Sequence, residues 1–173
     1  MRPKRIVLLF LVLVVLAGVS VGAPPRVKFT QSPVKIAVFT WCSSGVCVPL
    51  TYRWQGSVRV EYDYYYDASI GTNRVLIRKF DQSVTMFAAA SNPCRIGMGV
   101  TTKGYDKWGN YYWTIKKTHP GDYIYGSTSL FWGGVAYPNW WIPGPKLTTT
   151  AVAAGTGNGC LGAPSLSWDT YLP

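Results

Sequence analysis

The sequence predicts an all-β fold, an antiparallel β-sandwich stapled by disulfides. Three observations predict it. The 173 residues include 8 Trp, 12 Tyr and 18 Gly, while long Glu-, Lys- and Ala-rich stretches are absent; strands with tight turns are the natural use of this composition. Apolar and polar residues alternate in several segments, most plainly over residues 57–67, the two-residue period of a half-buried strand. An export signal is followed by four cysteines, Cys42, Cys47, Cys94 and Cys160, an even count that reads as two disulfides.

The first residues set the compartment. Arg2, Lys4 and Arg5 precede an unbroken apolar run from Ile6 to Ala17, and "GVSVGA" follows. Ser20 and Gly22 suit the −3 and −1 positions of a cleavage site, so residues 1–22 read as a secretory signal peptide and 23–173 as a single secreted domain. The alternative is an uncleaved anchor, because the apolar stretch from Ile6 to Ala23 is nearly long enough to span a membrane. Cleavage removes three of the 17 basic residues and lowers the net charge from +10 to +7. About 150 mature residues can bury a real core.

The elements follow in order. Residues 24–33, "PPRVKFTQSP", form a Pro-bounded lead-in. Residues 34–41 form a strand with Val34, Ile36 and Val38 on one face, and residues 48–55 form the next after the small Cys loop. In residues 57–67, Val58, Val60, Tyr62, Tyr64 and Tyr66 point one way, and Arg59, Glu61, Asp63, Tyr65 and Asp67 the other. Residues 68–73 turn, residues 74–80 return, and residues 83–91 make another strand or a short helical turn. Residues 97–105 and 110–117 flank the turn "DKWGN", with Trp113 and Ile115 expected in the core, Lys116 exposed and Gly109 at positive φ. "THPGDY", residues 118–123, reads as a second turn, because Pro120 fixes φ and Gly121 is permissive. Residues 123–132 resume as a strand. Residues 133–145 are too rich in Gly and Pro for an inner strand, residues 146–155 form a last strand, and residues 155–173 an irregular Gly/Pro/Trp-rich tail held by Cys160. The local pairing Cys42–Cys47 encloses only "SSGV", which leaves Cys94–Cys160 to tie the tail to the body. Without CxxC spacing or a second histidine, zinc binding is the weaker use of these cysteines, as is a redox pair.

Residues 105–125 read "YDKWGNYYWTI" and then "HPGDYIY". This stretch resembles the turn and strand pattern of extracellular Ig-like and transthyretin-like modules, including carboxypeptidase regulatory-like domains. The resemblance implies an antiparallel sandwich, a core position for Tyr123, and a non-catalytic role in surface presentation or adhesion.

Chemistry-bearing candidates are few. His119 is the only histidine; it stands before Pro-Gly, where an exposed turn residue is expected rather than a catalytic base. Glu61 and Asp63 share a strand face, a spacing compatible with glycoside hydrolysis, with Asp67 as a further cation ligand. Arg74, Arg78 and Lys79 on the return strand offer the simpler account, cross-strand charge pairs. There is no GxSxG elbow, phosphate loop, EF-hand or HExxH, so no cofactor, metal or enzyme site is expected. The aromatic clusters remain, and Trp108, Tyr112, Trp132, Tyr137, Trp140 and Trp141 are the candidate binding residues, able to stack on sugar rings. Expected partners are anionic or carbohydrate envelope polymers or another surface protein; no basic run exceeds two residues, so nucleic acid is not expected, and membrane contact is limited to the signal, an anchor or surface adsorption. The expected function is a secreted, non-catalytic binding or structural role at the cell envelope or extracellular matrix. A cationic antimicrobial or toxin-like protein and a small carbohydrate-active hydrolase are the alternatives.

Overall fold

The alternating segments pair into two antiparallel sheets. The structure, a computed structural model, describes residues 24–88, 94–123, 129–155 and 159–173, with side chains described except at 88, 119–123 and 129–135. The strands are β1 (Arg26–Gln31), β2 (Lys35–Ser43), β3 (Val46–Asp67), β4 (Thr72–Ala88), β5 (Arg95–Tyr105), β6 (Tyr111–Tyr123), β7 (Ser129–Ala136), β8 (Trp140–Pro143), β9 (Lys146–Gly155), β10 (Cys160–Leu161) and β11 (Ser165–Tyr171). No helix occurs among the described residues.

One sheet runs β10-β2-β3-β4-β7, and the other β11-β9-β5-β6. In the first sheet two long strands each serve two neighbours. β2 pairs the first half of β3 and β1 the second; β7 pairs the second half of β4 and β8 the first. The chain passes from β1 to β2 at Ser32, whose backbone N–H donates to the Gly56 carbonyl at 2.9 Å and whose Oγ accepts from the Gly56 N–H at 2.8 Å. The break therefore leaves no backbone group of Gly56 unpaired.

The core lies between the sheets. Alternation sends Tyr52, Trp54, Val58 and Val60 of β3 inward, together with Phe80, Val84 and Met86 of β4. Ile96 and Val100 of β5, Leu147 and Ala151 of β9, and Leu166 and Trp168 of β11 meet them. The Trp113 ring of β6 packs edge-on against Phe80 of β4, centroids 5.8 Å apart. Trp168 fills the space over Gly56, where any Cβ would overlap its ring. A buried polar chain also joins the sheets: Thr102 Oγ1 donates to Gln82 Oε1 at 2.6 Å and lies 2.8 Å from Thr149 Oγ1. Each of these three side chains is satisfied inside the core, as burial requires.

Both predicted disulfides form, Cys42–Cys47 and Cys94–Cys160. Cys42 and Cys47 are direct cross-strand partners, and Ser44 and Gly45 between them take φ of 50° and 79°, the positive values a two-residue hairpin turn needs. Two such bridges belong to an oxidising, extracellular setting. Among the described residues no helix is long and apolar enough to cross a membrane; Ile6 to Ala23 lie outside them.

Several expectations need correction. The lead-in contains a strand, β1, because Val27 and Phe29 alternate with Lys28 and Thr30 beside β3. The two strands expected over 48–55 and 57–67 are one, since Gly56 continues the extended backbone of β3. In β2 the face with Ile36 and Val38 is exposed, and Ala37 and Phe39 enter the core. Thr118 to Tyr123 are not a turn. They continue β6 with a register irregularity opposite Gly97, between the Met98–His119 and Ile96–Asp122 pairs. β6 is a sheet edge, where Pro120 forfeits no ladder bond and a bulge absorbs Gly121. The C-terminal part is not irregular either. Leu166, Trp168 and Thr170 are buried on one side of β11, which pairs β9 along its whole length. Its alternation outweighs the Gly/Pro-rich residues that precede it. The side chains of His119, Tyr123 and Trp132 lie outside the described set.

Candidate functional site

Register brings four residues from four strands into one row on the outer face of the second sheet. Tyr171 of β11 pairs Lys146 of β9, Lys146 pairs Tyr105 of β5, and Tyr105 pairs Tyr111 of β6. Adjacent strands lie about 4.8 Å apart, so Tyr171 and Tyr105 flank Lys146 with their backbones about 10 Å apart. Tyr171 is 61% and Tyr111 57% exposed, and the Tyr105 and Tyr111 rings meet edge-on at 6.1 Å. A groove of about 510 Å³ lies over this row. Tyr105, Lys146, Thr148 and Tyr171 line it from the sheet, and Asp106, Lys107, Gly109 and Gly144 line it from the adjoining loops.

Those loops are fastened by hydrogen bonds. Asp106, only 4% exposed, folds residues 106–110 around its carboxylate: Oδ1 accepts from the backbone N–H groups of Trp108 and Asn110, and Oδ2 from Asn110 Nδ2, each at 2.9 Å. Gly109 takes φ of +87°, as the turn predicts. Lys107 is tied by its backbone N–H to the Pro143 carbonyl at 3.0 Å and by Nζ to the Ile70 carbonyl at 2.9 Å. The Leu172 N–H donates to the Pro145 carbonyl at 3.1 Å, which holds the chain end beside Tyr171. The groove is thus built on strands and clamped loops, the arrangement that keeps a site preorganised.

Its charges are settled. Burial alone would raise Asp106, but the Asn110 side chain and the backbone N–H groups of Asn110, Trp108 and Gly109 hold it below the usual carboxylate range. Asp169 is also held low: burial opposes this, and bonds from Lys146 and Thr148 outweigh it. Lys146 is raised, first by its hydrogen bond to Asp169, at 2.9 Å. Its Nζ stands 5.6 Å from the Tyr171 ring centre, and Lys107 Nζ stands 4.7 Å from that of Trp108. The groove therefore offers ring faces, a hydroxyl and two ammonium groups. Its carboxylates are ionised acceptors at neutral pH and hold no proton to transfer.

The sequence-predicted candidates are dispersed. Trp108, 57% exposed, stands at the rim beside Lys107. Tyr112 is the extra residue of the bulge between the Gly104–Trp113 and Tyr105–Tyr111 pairs and is exposed. Trp140 and Trp141 are consecutive in β8 and so face opposite sides of the strand; Trp141 meets Tyr65 at 5.1 Å on the outer face of the first sheet. Tyr137 is exposed in the β7–β8 connection, and Trp132 pairs Val84 in β7. The described side chains among them make no single platform. Glu61 and Asp63 lie in charge ladders on that outer face: Glu61 is 3.2 Å from Arg59 and 3.9 Å from Lys79, and Asp63 pairs Arg78. Asp67 binds Arg74 at 2.6 Å. The pairs with Lys79, Arg78 and Arg74 are the cross-strand pairs read from the sequence, and Arg59–Glu61 is a further pair within β3.

Sequence reasoning missed Tyr105, Lys107, Lys146, Thr148 and Tyr171 as site residues. The signal was present as alternation, because "KLTTTAV" puts Lys146, Thr148 and Thr150 on one face and "SLSWDTY" does the same for Ser165, Ser167, Asp169 and Tyr171. The pairing that sets β9 between β5 and β11 is non-local and was not legible. No family model, curated protein or solved structure matches this chain.

Proposed function

We propose that the chain is a secreted, non-catalytic β-sandwich protein of the Ig-like or transthyretin-like kind, and that it binds a carbohydrate-bearing polymer of the cell envelope or extracellular matrix. The observation that carries this reading is the Tyr105–Lys146–Tyr171 row beneath the groove. Two phenol rings flank a cation on a rigid sheet, a surface that stacks on sugar rings and hydrogen-bonds between them. The two carboxylates nearby are occupied in holding the turn and the lysine, which supports binding over turnover. The hydrolase alternative gains nothing from Glu61 and Asp63, both held by basic neighbours. The membrane-active alternative gains nothing from Trp140 and Trp141, which do not share a face.

The test is affinity electrophoresis of the secreted chain through gels containing soluble polysaccharides, with release of reducing ends measured in parallel. Tyr171→Ala should weaken retardation by roughly tenfold, equivalent to about 1.4 kcal/mol, while the thermal midpoint stays unchanged, because Tyr171 is exposed. Unchanged retardation in Tyr171→Ala and Tyr105→Ala variants overturns the groove as the contact. Accumulating reducing ends overturn the non-catalytic reading.

A further inference from the structure

Beyond the groove, the outer face of the second sheet carries three lysines in a regular line. Lys146 of β9 pairs Tyr105 of β5. Lys103 lies two residues before Tyr105 on β5, and pairs Thr114 of β6. Lys116 lies two residues beyond Thr114, opposite Thr101. Each step moves one strand across and two residues along, a diagonal of about 7–8 Å. The three lysines are therefore rooted at even intervals from the groove to the β6 edge, and Lys146 Nζ leans toward Asp169 and Tyr171 of β11.

The surroundings suit a polar, charged guest. Thr101, Thr114, Thr148 and Thr150 share this face with Ser165 and Ser167. Among the described residues its only carboxylate is Asp169, already bonded to Lys146 and to Thr148. Lys103 and Lys116 are exposed and form no ion pair with a described carboxylate. Gly99 opens the same face. A Cβ there would meet nothing nearer than the Thr118 methyl group at 3.8 Å, so packing alone does not require glycine. On the first sheet's outer face Arg59, Glu61, Lys79 and Asp81 compensate one another, and Arg53 stands apart from them beside Ile36.

We infer that this face binds an acidic polysaccharide, a chain of pyranose rings bearing carboxylates, laid along Lys146, Lys103 and Lys116 with one ring seated in the tyrosine groove. The inference rests on the groove being the ligand contact and names the ligand's class. The line roots its lysines at a repeating interval, and Lys103 and Lys116 have no described carboxylate beside them, which an extended anion matches and an isolated anion does not. The tyrosines favour a polymer with rings over a polyol phosphate. The hydroxyl side chains supply donors and acceptors for sugar hydroxyls between the charges.

The experiment uses the full secreted chain and three probes: polygalacturonate, dextran, and phosphatidylglycerol vesicles. Polygalacturonate should bind roughly tenfold or more tighter than dextran near 50 mM salt, and the gap should narrow as added salt shortens the screening length. Replacing Lys103→Glu and Lys116→Glu together should lower polygalacturonate affinity by about tenfold or more. The charge-matched control, Lys35→Glu with Arg53→Glu, lies off this face and should lower it far less. Gly99→Leu should also block binding by filling the face, with the thermal midpoint reporting whether it folds. Equal losses in both double variants would reduce the effect to net charge and overturn the inference, as would vesicle binding that matches polygalacturonate. Dextran binding as tight as polygalacturonate, still weakened by Tyr171→Ala, would overturn the acidic ligand and leave the groove standing. If no polysaccharide binds, the groove reading fails as well.

Discussion

Tyr52 and Trp113 are both buried rings, and their substitutions separate two contributions to stability. Tyr52 is fully buried, with its ring edge-on to Phe39 at 5.3 Å, and its hydroxyl has no hydrogen-bond partner among the described residues. Burial pushes its phenol well above the ordinary tyrosine range, so the group stays neutral. Tyr52→Phe removes an unpaired polar atom and keeps the ring. Its stability should hold or rise by about 1 kcal/mol. Trp113 is 4% exposed, lies against Phe80, and covers Gly104, where a Cβ would stand 2.6 Å from the indole. Trp113→Ala should cost about 3–5 kcal/mol, because the cavity cannot close over a glycine. Chemical denaturation measures both. A loss above about 1 kcal/mol in Tyr52→Phe, or below about 1 kcal/mol in Trp113→Ala, would contradict the packing described. The burial of Trp113 was legible from its alternation with Thr114 and Ile115, while the bulge at Tyr112 that turns Tyr111 outward was not. The glycine beneath it was not, because cross-strand register decides which ring covers which backbone.

At the scale of elements, the β5–β6 turn depends on one carboxylate. Asp106 is held below its ordinary value of 3.8, so it binds its proton less readily folded than unfolded. Its stabilisation is complete above the unfolded value and is lost as pH falls through the lower folded one. Asp106→Ala should cost about 2 kcal/mol at neutral pH, since three donors lose a charged acceptor, and the variant should lose less stability than the parent as pH falls from neutral to below the ordinary value of 3.8. Urea unfolding across that range checks it; parallel acid limbs in parent and variant would show that Asp106 does not carry the effect. This turn, the hairpin of residues 57–67 with 74–80 and the Cys42–Cys47 bridge were readable because each is written in local spacing; Cys94–Cys160 followed by elimination, and the continuation of β3 through Gly56 and of β4 past Phe80 was not read. The Pro120–Gly121 segment misled for a physical reason. The same two residues that make a turn also make a bulge on an edge strand, and only pairing with β5 distinguishes them. β11 was overlooked because Gly and Pro immediately before it suggest loop, although Leu166, Trp168 and Thr170 keep strict alternation.

Across the whole molecule, the two outer faces divide the work. The first sheet pairs many of its charges, as Arg74 with Asp67 and Lys79 with Asp81, while on the second Lys103 and Lys116 form no ion pair with a described carboxylate beside the tyrosine row. The candidate site could not be read from the sequence as a site, because Tyr105 and Tyr171 lie 66 positions apart with Lys146 between them and the three meet only through strand pairing. The exposed tryptophans were the louder signal, yet they point in several directions. The most direct measurement of the central claim is amide shift mapping by NMR as polygalacturonate is titrated into the labelled protein. The account predicts shifts concentrated on β5, β6, β9 and β11 around Tyr105, Lys103, Lys116, Lys146 and Tyr171, with β1, β2 and the outer face of β3 unmoved. Shifts centred on the first sheet, or on β8 around Trp140 and Trp141, would contradict it.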